Sequence, residues 1–261
     1  MTGPIPFDPH RFRAAAAHYL AGRPGYAAGL APLVAQACGL DGTGRLLDLG
    51  CGPGQLARAF LPYVAGALAV DPEPEMLALG RSLSDGRVAF QQGSSEDLGP
   101  ALGRFRLVTI GRAFHWMDRA ETARRLGAMV EPGGAVALFR IDHLDVPANA
   151  WHARFQSVLD AAFRHGQRAA WRQPGWVKHE AVLLDSPFAA LARFGVVERV
   201  STPVATLLDR ALSMGDASRA RLGAAGLERL RADVASVLAD VAEAGQVAEV
   251  LESVALVARR A

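Results

Sequence analysis

The sequence predicts an α/β fold built on an open, largely parallel sheet that receives its ligand at the carboxyl ends of the strands. Three observations lead there. The apolar run of residues 45–49, RLLDL, breaks at once into Gly50-Cys51-Gly52-Pro53-Gly54 and then into helix-forming residues. A second apolar run, residues 66–70, ends in Asp71-Pro72, and a third, residues 105–110, is apolar and β-branched. Near-continuous apolar runs mark parallel strands buried on both faces, and glycines at a strand end let a ligand approach the backbone.

The spacing of the glycines narrows the ligand. A dinucleotide fingerprint needs Gly-x-Gly-x-x-Gly, whereas Gly50, Gly52 and Gly54 alternate and the third-glycine position is Gln55. Asp48, just ahead of the loop, would repel a phosphate and suits a ligand carrying an ammonium group. The expected ligand is therefore a zwitterion or a cation, although glycines that only make a tight turn would read the same way.

DLGCGPG after a strand, followed by a second strand ending in Asp71, resembles the first two motifs of class I S-adenosylmethionine-dependent methyltransferases. The resemblance implies a Rossmann-like seven-stranded sheet, last strand antiparallel and inserted beside the sixth, with helices on both faces and a helical cap. It implies that Asp48, Gly50, Cys51, Gly52 and Gly54 cradle the methionine and ribose parts of S-adenosylmethionine. Asp71, with Pro72 beside it, would hold the ribose hydroxyls, about 20 residues beyond the glycines. Met76 would flank the adenine or serve as plain core. Gly93-Ser94-Ser95-Glu96 resembles the adenine-binding turn, with Ser94 where aspartate is common, so a hydroxyl replaces a carboxylate and more recognition falls to the backbone at Ser95 and Glu96. Glu96 also reads as a helix-start residue complementing the dipole.

The chain has 261 residues, 51% apolar and 21% charged, a composition that buries a core and matches one large domain over 1–261. A formal charge of +2 with scattered arginines gives no basic stripe, which disfavours nucleic acid. Two cysteines, Cys38 and Cys51, form neither a disulfide framework nor a metal-ligand cluster, and no metal is expected. The absence of a long apolar segment or a leader-like N-terminus leads to the expectation of a cytoplasmic protein, monomer or homodimer, without a membrane partner.

Residues 10–22 and 27–38 read as helices flanking the breaker Arg23-Pro24-Gly25. With Phe7-Asp8, Tyr19, Arg23 and Tyr26 this part resembles the N-terminal segment of trans-aconitate-type methyltransferases, which implies a lid over residues 1–40. Tyr19 and Arg23 then become candidates for the sulfonium and carboxylate surroundings of the cofactor, against an ordinary core tyrosine and a solvated helix-end arginine. Downstream the expected elements are helices over 55–63, up to 84, and 118–130, with strands over 87–91 and 135–139. A sixth strand over 195–202, helices over 205–213 and 218–244, and a last strand within 246–257 complete the reading.

Beyond the fourth strand stands Gly111-Arg112-Ala113-Phe114-His115-Trp116. In the resembling family this position faces both cofactor and acceptor, which makes Gly111, Arg112, Ala113 and Trp116 cofactor-binding candidates. His115 is the candidate general base, and an edge histidine packed against Trp116 would look the same. Residues 142–190 interleave aromatics with histidines and read as a substrate cap, or as a helical unit whose rings fill its own core. The activity implied is methyl transfer to an O or N nucleophile, including carboxylate, of a small molecule, in the manner of secondary metabolism. A non-methylating protein that uses S-adenosylmethionine structurally or as a cyclisation platform would carry the same motifs. A nicotinamide oxidoreductase is disfavoured by Gln55 and Asp48.

Overall fold

The computed structural model describes residues 16–162, 175–188, 190–213 and 219–260. Seven strands form one sheet: β1 (Arg45–Leu49), β2 (Gly66–Asp71), β3 (Val88–Gln92), β4 (Phe105–Gly111), β5 (Val130–His143), β6 (Ala190–Pro203) and β7 (Gln246–Arg259). Their order is β3-β2-β1-β4-β5-β7-β6. The first five are parallel neighbours, and β7 lies antiparallel between β5 and β6. This is the Rossmann-like arrangement that the motifs imply.

Alternation along the strands decides the layers, because successive side chains point to opposite faces. Leu46, Ala69, Leu107, Ala137 and Phe139 pack with helices α2 (Leu30–Ala37) and α3 (Gln55–Phe60) on one face. Leu47, Leu49, Val70, Val108, Ile110 and Leu138 pack on the other with α5 (Arg119–Met129) and with Leu183 of α7 (His179–Leu184). Helix α4 (Pro74–Ser82) begins with a proline in its first turn, where a missing N–H costs nothing, and sends Leu77 into the first core.

Several boundaries differ from the expectation. The helix that follows the glycine loop stops at Phe60, and Leu61–Tyr63 continues as a 3-10 turn with a proline in it. Strand β5 is much longer than residues 135–139. It pairs from Val130, carries the Glu131-Pro132-Gly133-Gly134 turn as an irregularity opposite residues 105–107, and runs on to His143 because β7 pairs with it throughout residues 135–143. Of the helix expected over 10–22, the described part is α1 (Ala16–Gly22).

Residues 142–190, expected as one cap, supply two helices with different neighbours. Helix α6 (Ala150–Ala162) puts Trp151, Phe155 and Leu159 into a third apolar cluster with α8 (Val204–Leu212) and α9 (Arg219–Ala239). Helix α7 instead lies on α5, where Pro187 meets the Cα side of Gly127. Trp151 and Phe155 therefore fill a core, as the alternative reading had it, while Phe163, His165 and Trp171 lie outside the described residues. The third cluster joins α1 through α8, so the N-terminal helix, α6, α8 and α9 make one helical layer beside the long ends of β5, β6 and β7. Among the described residues no helix is long and apolar enough to cross a membrane.

Candidate functional site

The site begins where β1 and β2 end side by side. Gly50, Gly52 and Gly54 adopt φ of 66°, 53° and 74°, the left-handed region that favours glycine. The turn is pinned to the sheet: the N–H groups of Gly50 and Cys51 donate to the Val70 carbonyl at 2.8 and 3.1 Å. Space is scarce as well, since a Cβ on Gly50 would come within 2.6 Å of the Ala113 Cβ. The loops after β1 and β4 thus approach each other to a distance only a glycine allows. Cys51 is buried with its thiol pushed well up by that burial, so it acts as a small packing residue.

Asp71 closes this corner. Its Oδ2 accepts from Gly52 N–H at 2.8 Å and its Oδ1 from Glu73 N–H at 2.9 Å. Burial raises its pKa, and those two hydrogen bonds pull it back. A carboxylate has about four lone-pair sites, and two here are spent on holding the loop to β2. Pro72 lies next to it, half-buried, and Met76 is buried in the first turn of α4.

Asp48 behaves differently from the expectation. It is 1% exposed, and its carboxylate accepts from Ala57 N–H at 3.0 Å and from the Thr109 hydroxyl at 2.9 Å. The strand's alternation is the reason: Asp48 shares the face of Leu46, directed at the first turn of α3, where free N–H groups need an acceptor. Its carboxylate thus ties β1 to α3 and β4, in place of meeting a ligand's ammonium. Burial pushes its pKa up to about 7, against the pull of those hydrogen bonds.

Ser94 is also occupied. Its hydroxyl accepts from Glu96 N–H at 3.1 Å and donates to Asp97 Oδ2 at 3.1 Å, while its own N–H donates to the same carboxylate at 2.7 Å. The reciprocal capping box shapes the short 3-10 turn Ser95–Asp97, and Asp97 supplies the carboxylate that position 94 lacks. Ser95 is half-buried and Glu96 exposed on this turn.

Past β4 the chain bends sharply. Arg112 has φ of 56°, rare for a residue with a Cβ, and is held there by its N–H donating to the Phe139 carbonyl at 3.0 Å. Its guanidinium carbon lies 5.2 Å from the Tyr26 ring centroid, and Nη2 reaches Gln55 Oε1 at 3.5 Å. Tyr26 stacks edge-on against Phe139 at 5.5 Å and stands so close to Gly111 that a Cβ there would lie 2.7 Å from its hydroxyl. Gly111, Arg112 and Ala113 are thereby joined to the loop after β1 and to the N-terminal segment. His115 and Trp116 follow in the 3-10 turn Phe114–Trp116, ring centroids 4.7 Å apart. Arg23 points its Nη2 to the carbonyl of Ser213, the residue just past α8, at 3.5 Å. The side chain of Tyr19 lies outside the described residues.

Three residues of this constellation were not singled out as site residues from the sequence. Tyr26 stood only within a pattern, Gln55 served only as evidence against a third glycine, and Thr109 passed as part of an apolar strand. The signal for Thr109 was its polarity within RLVTIG, level with Asp48 in the neighbouring strand. Among the described residues no group of three His, Cys, Asp or Glu is arranged to hold a metal ion.

Comparison with known proteins agrees with this arrangement. Residues 46–134 match the family model described as a methyltransferase domain. This stretch of the chain, about a third of its length, is similar to a methyltransferase domain. An uncharacterized methyltransferase, YcgJ, of Bacillus subtilis is 30% identical over 143 residues, 53% of this chain and 52% of the relative. The trans-aconitate 2-methyltransferase of Methylobacterium nodulans is 33% identical over 132 residues, 49% of this chain and 50% of the relative. The chain thus spans about half the length of the curated relatives it matches. Among solved structures, a methyltransferase from Thiobacillus denitrificans in complex with S-adenosylhomocysteine superposes with a TM-score of 0.52 at 16% identity, covering 98% of this chain and 100% of that one. That likeness concerns the fold. The region of the methyltransferase model, 46–134, contains the glycine turn, Asp71, the Ser94 capping box and the bend at Arg112.

Proposed function

We propose that this chain moves a methyl group from S-adenosylmethionine to an O or N nucleophile of a small molecule. The observation that carries the reading is the contact of Asp71 with Gly52: the acid of β2 and the left-handed glycine turn of β1 meet at one point of the sheet's carboxyl edge. A turn with three left-handed glycines, a carboxylate with lone pairs to spare, and a bent Arg112 beside Tyr26 suit a ribose and an amino-acid tail. When bound, S-adenosylmethionine supplies an electrophilic methyl on a sulfonium, whose leaving thioether needs no protonation.

The protein's own part is then mainly placement, since holding reactants in line supplies about 7–11 kcal/mol in favourable cases. Asp71 accepts from the ribose hydroxyls. Gly50, Cys51, Gly52, Gly54, Gly111 and Ala113 leave room along the backbone, and Arg112 faces the amino-acid carboxylate with Gln55 and Tyr26 steadying it. The turn at Ser94, Ser95 and Glu96, with Met76, borders the adenine. His115 takes the acceptor's proton when the nucleophile is a hydroxyl, with Trp116 against its ring. The helical layer of α1, α6, α8 and α9 and the segment around α7 cover the acceptor.

The test is calorimetric titration with S-adenosylmethionine and S-adenosylhomocysteine, paired with a screen of small acceptors read by S-adenosylhomocysteine release. Binding of both ligands is expected, and Asp71→Ala weakens it by about 1.5–3 kcal/mol, the range for hydrogen bonds to a charged group. Preference for a nicotinamide dinucleotide would defeat the proposal. Tight binding with no turnover on any acceptor would point to the non-methylating use of the same cofactor.

A further inference from the structure

Arg119 stands in the first turn of α5, three residues beyond Trp116, and is 4% exposed. Its Nη1 donates to the Val177 carbonyl at 2.6 Å and to Nδ1 of His179 at 3.3 Å, and its guanidinium carbon lies 4.0 Å from the Trp176 ring centroid. Nε and Nη2, the side-on edge of the guanidinium, donate to no acceptor among the described residues. Among the described residues no acid forms an ion pair with it, and the carboxylate that acts on its charge is Asp118, one of whose oxygens caps Glu121 N–H. Neither nitrogen is among the fully enclosed polar atoms that lack a partner, so the edge is reachable from outside, and a guanidinium with no close counter-ion attracts an anion. This edge is shaped for a planar carboxylate, which it would hold through two parallel hydrogen bonds.

His179 adds a third donor. An arginine can only donate, so Nδ1 of His179 accepts and the ring proton resides on Nε2, which has no partner among the described residues. Burial, then the nearby Arg119 charge, hold this imidazole's pKa down to about 4, so it stays neutral. Of the other charged groups felt by His179, Glu180 is paired with Arg193 and Arg140 with Asp142. The Phe114 ring lies 5.2 Å from that of His179, which sets the pair against the same short turn that carries His115 and Trp116.

We propose that the Nε–Nη2 edge of Arg119 and the Nε2–H of His179 form a subsite for a carboxylate carried by the methyl acceptor, separate from the atom that is methylated. This inference rests on the methyltransferase reading. One guanidinium and one neutral imidazole offer a single positive charge and three donors, which matches a monoanion better than a phosphate dianion. A carboxylate bound through both oxygens has its lone pairs engaged, so it serves as a handle while another group attacks.

The experiment uses the full chain saturated with S-adenosylhomocysteine and titrates benzoate, cinnamate and succinate against benzamide, cinnamamide and succinamide. The acids are expected to bind and the amides to fail. Arg119→Gln should lower acid affinity about tenfold or more, and Arg119→Lys, which keeps the charge but loses the fork, several-fold. Affinity for S-adenosylhomocysteine should stay the same in both variants. Arg119→Lys decides the matter if the glutamine variant does not fold. Amides binding as well as acids, no acid binding to the loaded protein, or unchanged acid affinity in the folded variants would overturn the proposal and leave water as the partner of that edge. Failure of S-adenosylhomocysteine to bind would sink the methyltransferase reading and this inference together.

Discussion

Arg210 on α8 donates its Nε to the Gly22 carbonyl at 3.0 Å, at the last residue of α1. The rest of the guanidinium is held by Glu249 of β7, which accepts from Nη1 at 2.6 Å and Nη2 at 3.1 Å. Glu249 also accepts from His143 Nε2 at 2.7 Å and from the Thr202 hydroxyl at 2.5 Å. One fully buried carboxylate therefore gathers β5, β6, β7 and α8, and through Arg210 it fixes where the N-terminal helix ends. Gly22 lies so close to α8 that a Cβ would sit 2.4 Å from the Arg210 nitrogen.

Breaking this cluster from one side leaves a buried charge without its partner. Glu249→Gln should lower stability by about 3–5 kcal/mol, while pairing it with Arg210→Met should recover a good part of the loss. Burial pushes Glu249 up, but hydrogen bonds from His143 and Arg210 and the Arg210 charge bring it down to about 2. Because the folded value is depressed, this stability is present above the ordinary glutamate value and is lost as pH falls through about 2. Urea unfolding of both variants across the acid range would check it.

Asp48 works in the opposite sense. Its folded pKa of about 7 lies above that of an unfolded aspartate, so the folded state binds a proton that the unfolded state has released. Stability should therefore fall as pH rises from about 4 to about 7 and level off above, by as much as about 4 kcal/mol. Asp48→Asn removes that slope, because the amide stays neutral throughout. Melts of the two proteins at about pH 5 and about pH 8 should diverge for the wild type and converge for the variant. A parallel response in both would mean the carboxylate does not titrate where its burial implies.

Gly50 and Gly86 make a matched pair. Both have positive φ, 66° and 90°, but a Cβ at Gly50 meets Ala113 at 2.6 Å while one at Gly86 meets nothing within 4 Å. Gly86→Ala should cost about 1–2 kcal/mol of backbone strain and leave cofactor affinity alone. Gly50→Ala carries the same strain and also forces the loops after β1 and β4 apart, so melting temperature and cofactor affinity should both drop. Equal affinities in the two variants would remove the glycine turn from the cofactor site.

His115 is tested by turnover. With a hydroxyl acceptor, His115→Asn should lower kcat about 100-fold with cofactor affinity nearly unchanged, the scale of positioned proton transfer. A pH–rate profile should lose its acidic limb at the same time. Full activity with an intact profile would reduce His115 to packing against Trp116.

Much of the sheet was legible because its physics is local. Strands β1, β2 and β4 are largely apolar on both faces, and their ends are marked by glycine or proline, so chain order and the glycine-lined edge follow from the sequence. The direction of Asp48 required tertiary knowledge: its meaning depends on α3 presenting Ala57 N–H and on β4 presenting Thr109, neither adjacent in sequence. The length of β5 was hidden for the same reason, since residues 140–143 are strand only through pairing with β7, more than 100 positions on. The aromatics of residues 150–162 show the limit of pattern reading. Trp151 and Phe155 look alike whether they line a pocket or fill a core, and only the arrival of α8 and α9 makes them core. Arg119 was invisible as more than a helix-start arginine, because its Nη1 partners come from residues 177 and 179.

The insertion of β7 between β5 and β6 has a consequence for how the molecule is made. Strands β3, β2, β1, β4 and β5 can zip together as each emerges, but β6 has no strand to join until β7, the latest of all, fills the space beside it. Until then β5 exposes one open edge and β6 two, at the moment when their apolar side chains are most available to other chains. The Arg210–Glu249 cluster cannot close before the same event, since Glu249 is part of β7. Helix α1, which precedes the sheet in the chain, therefore gains its Arg210 anchor late, from a cluster that only the last-made strand of the sheet completes.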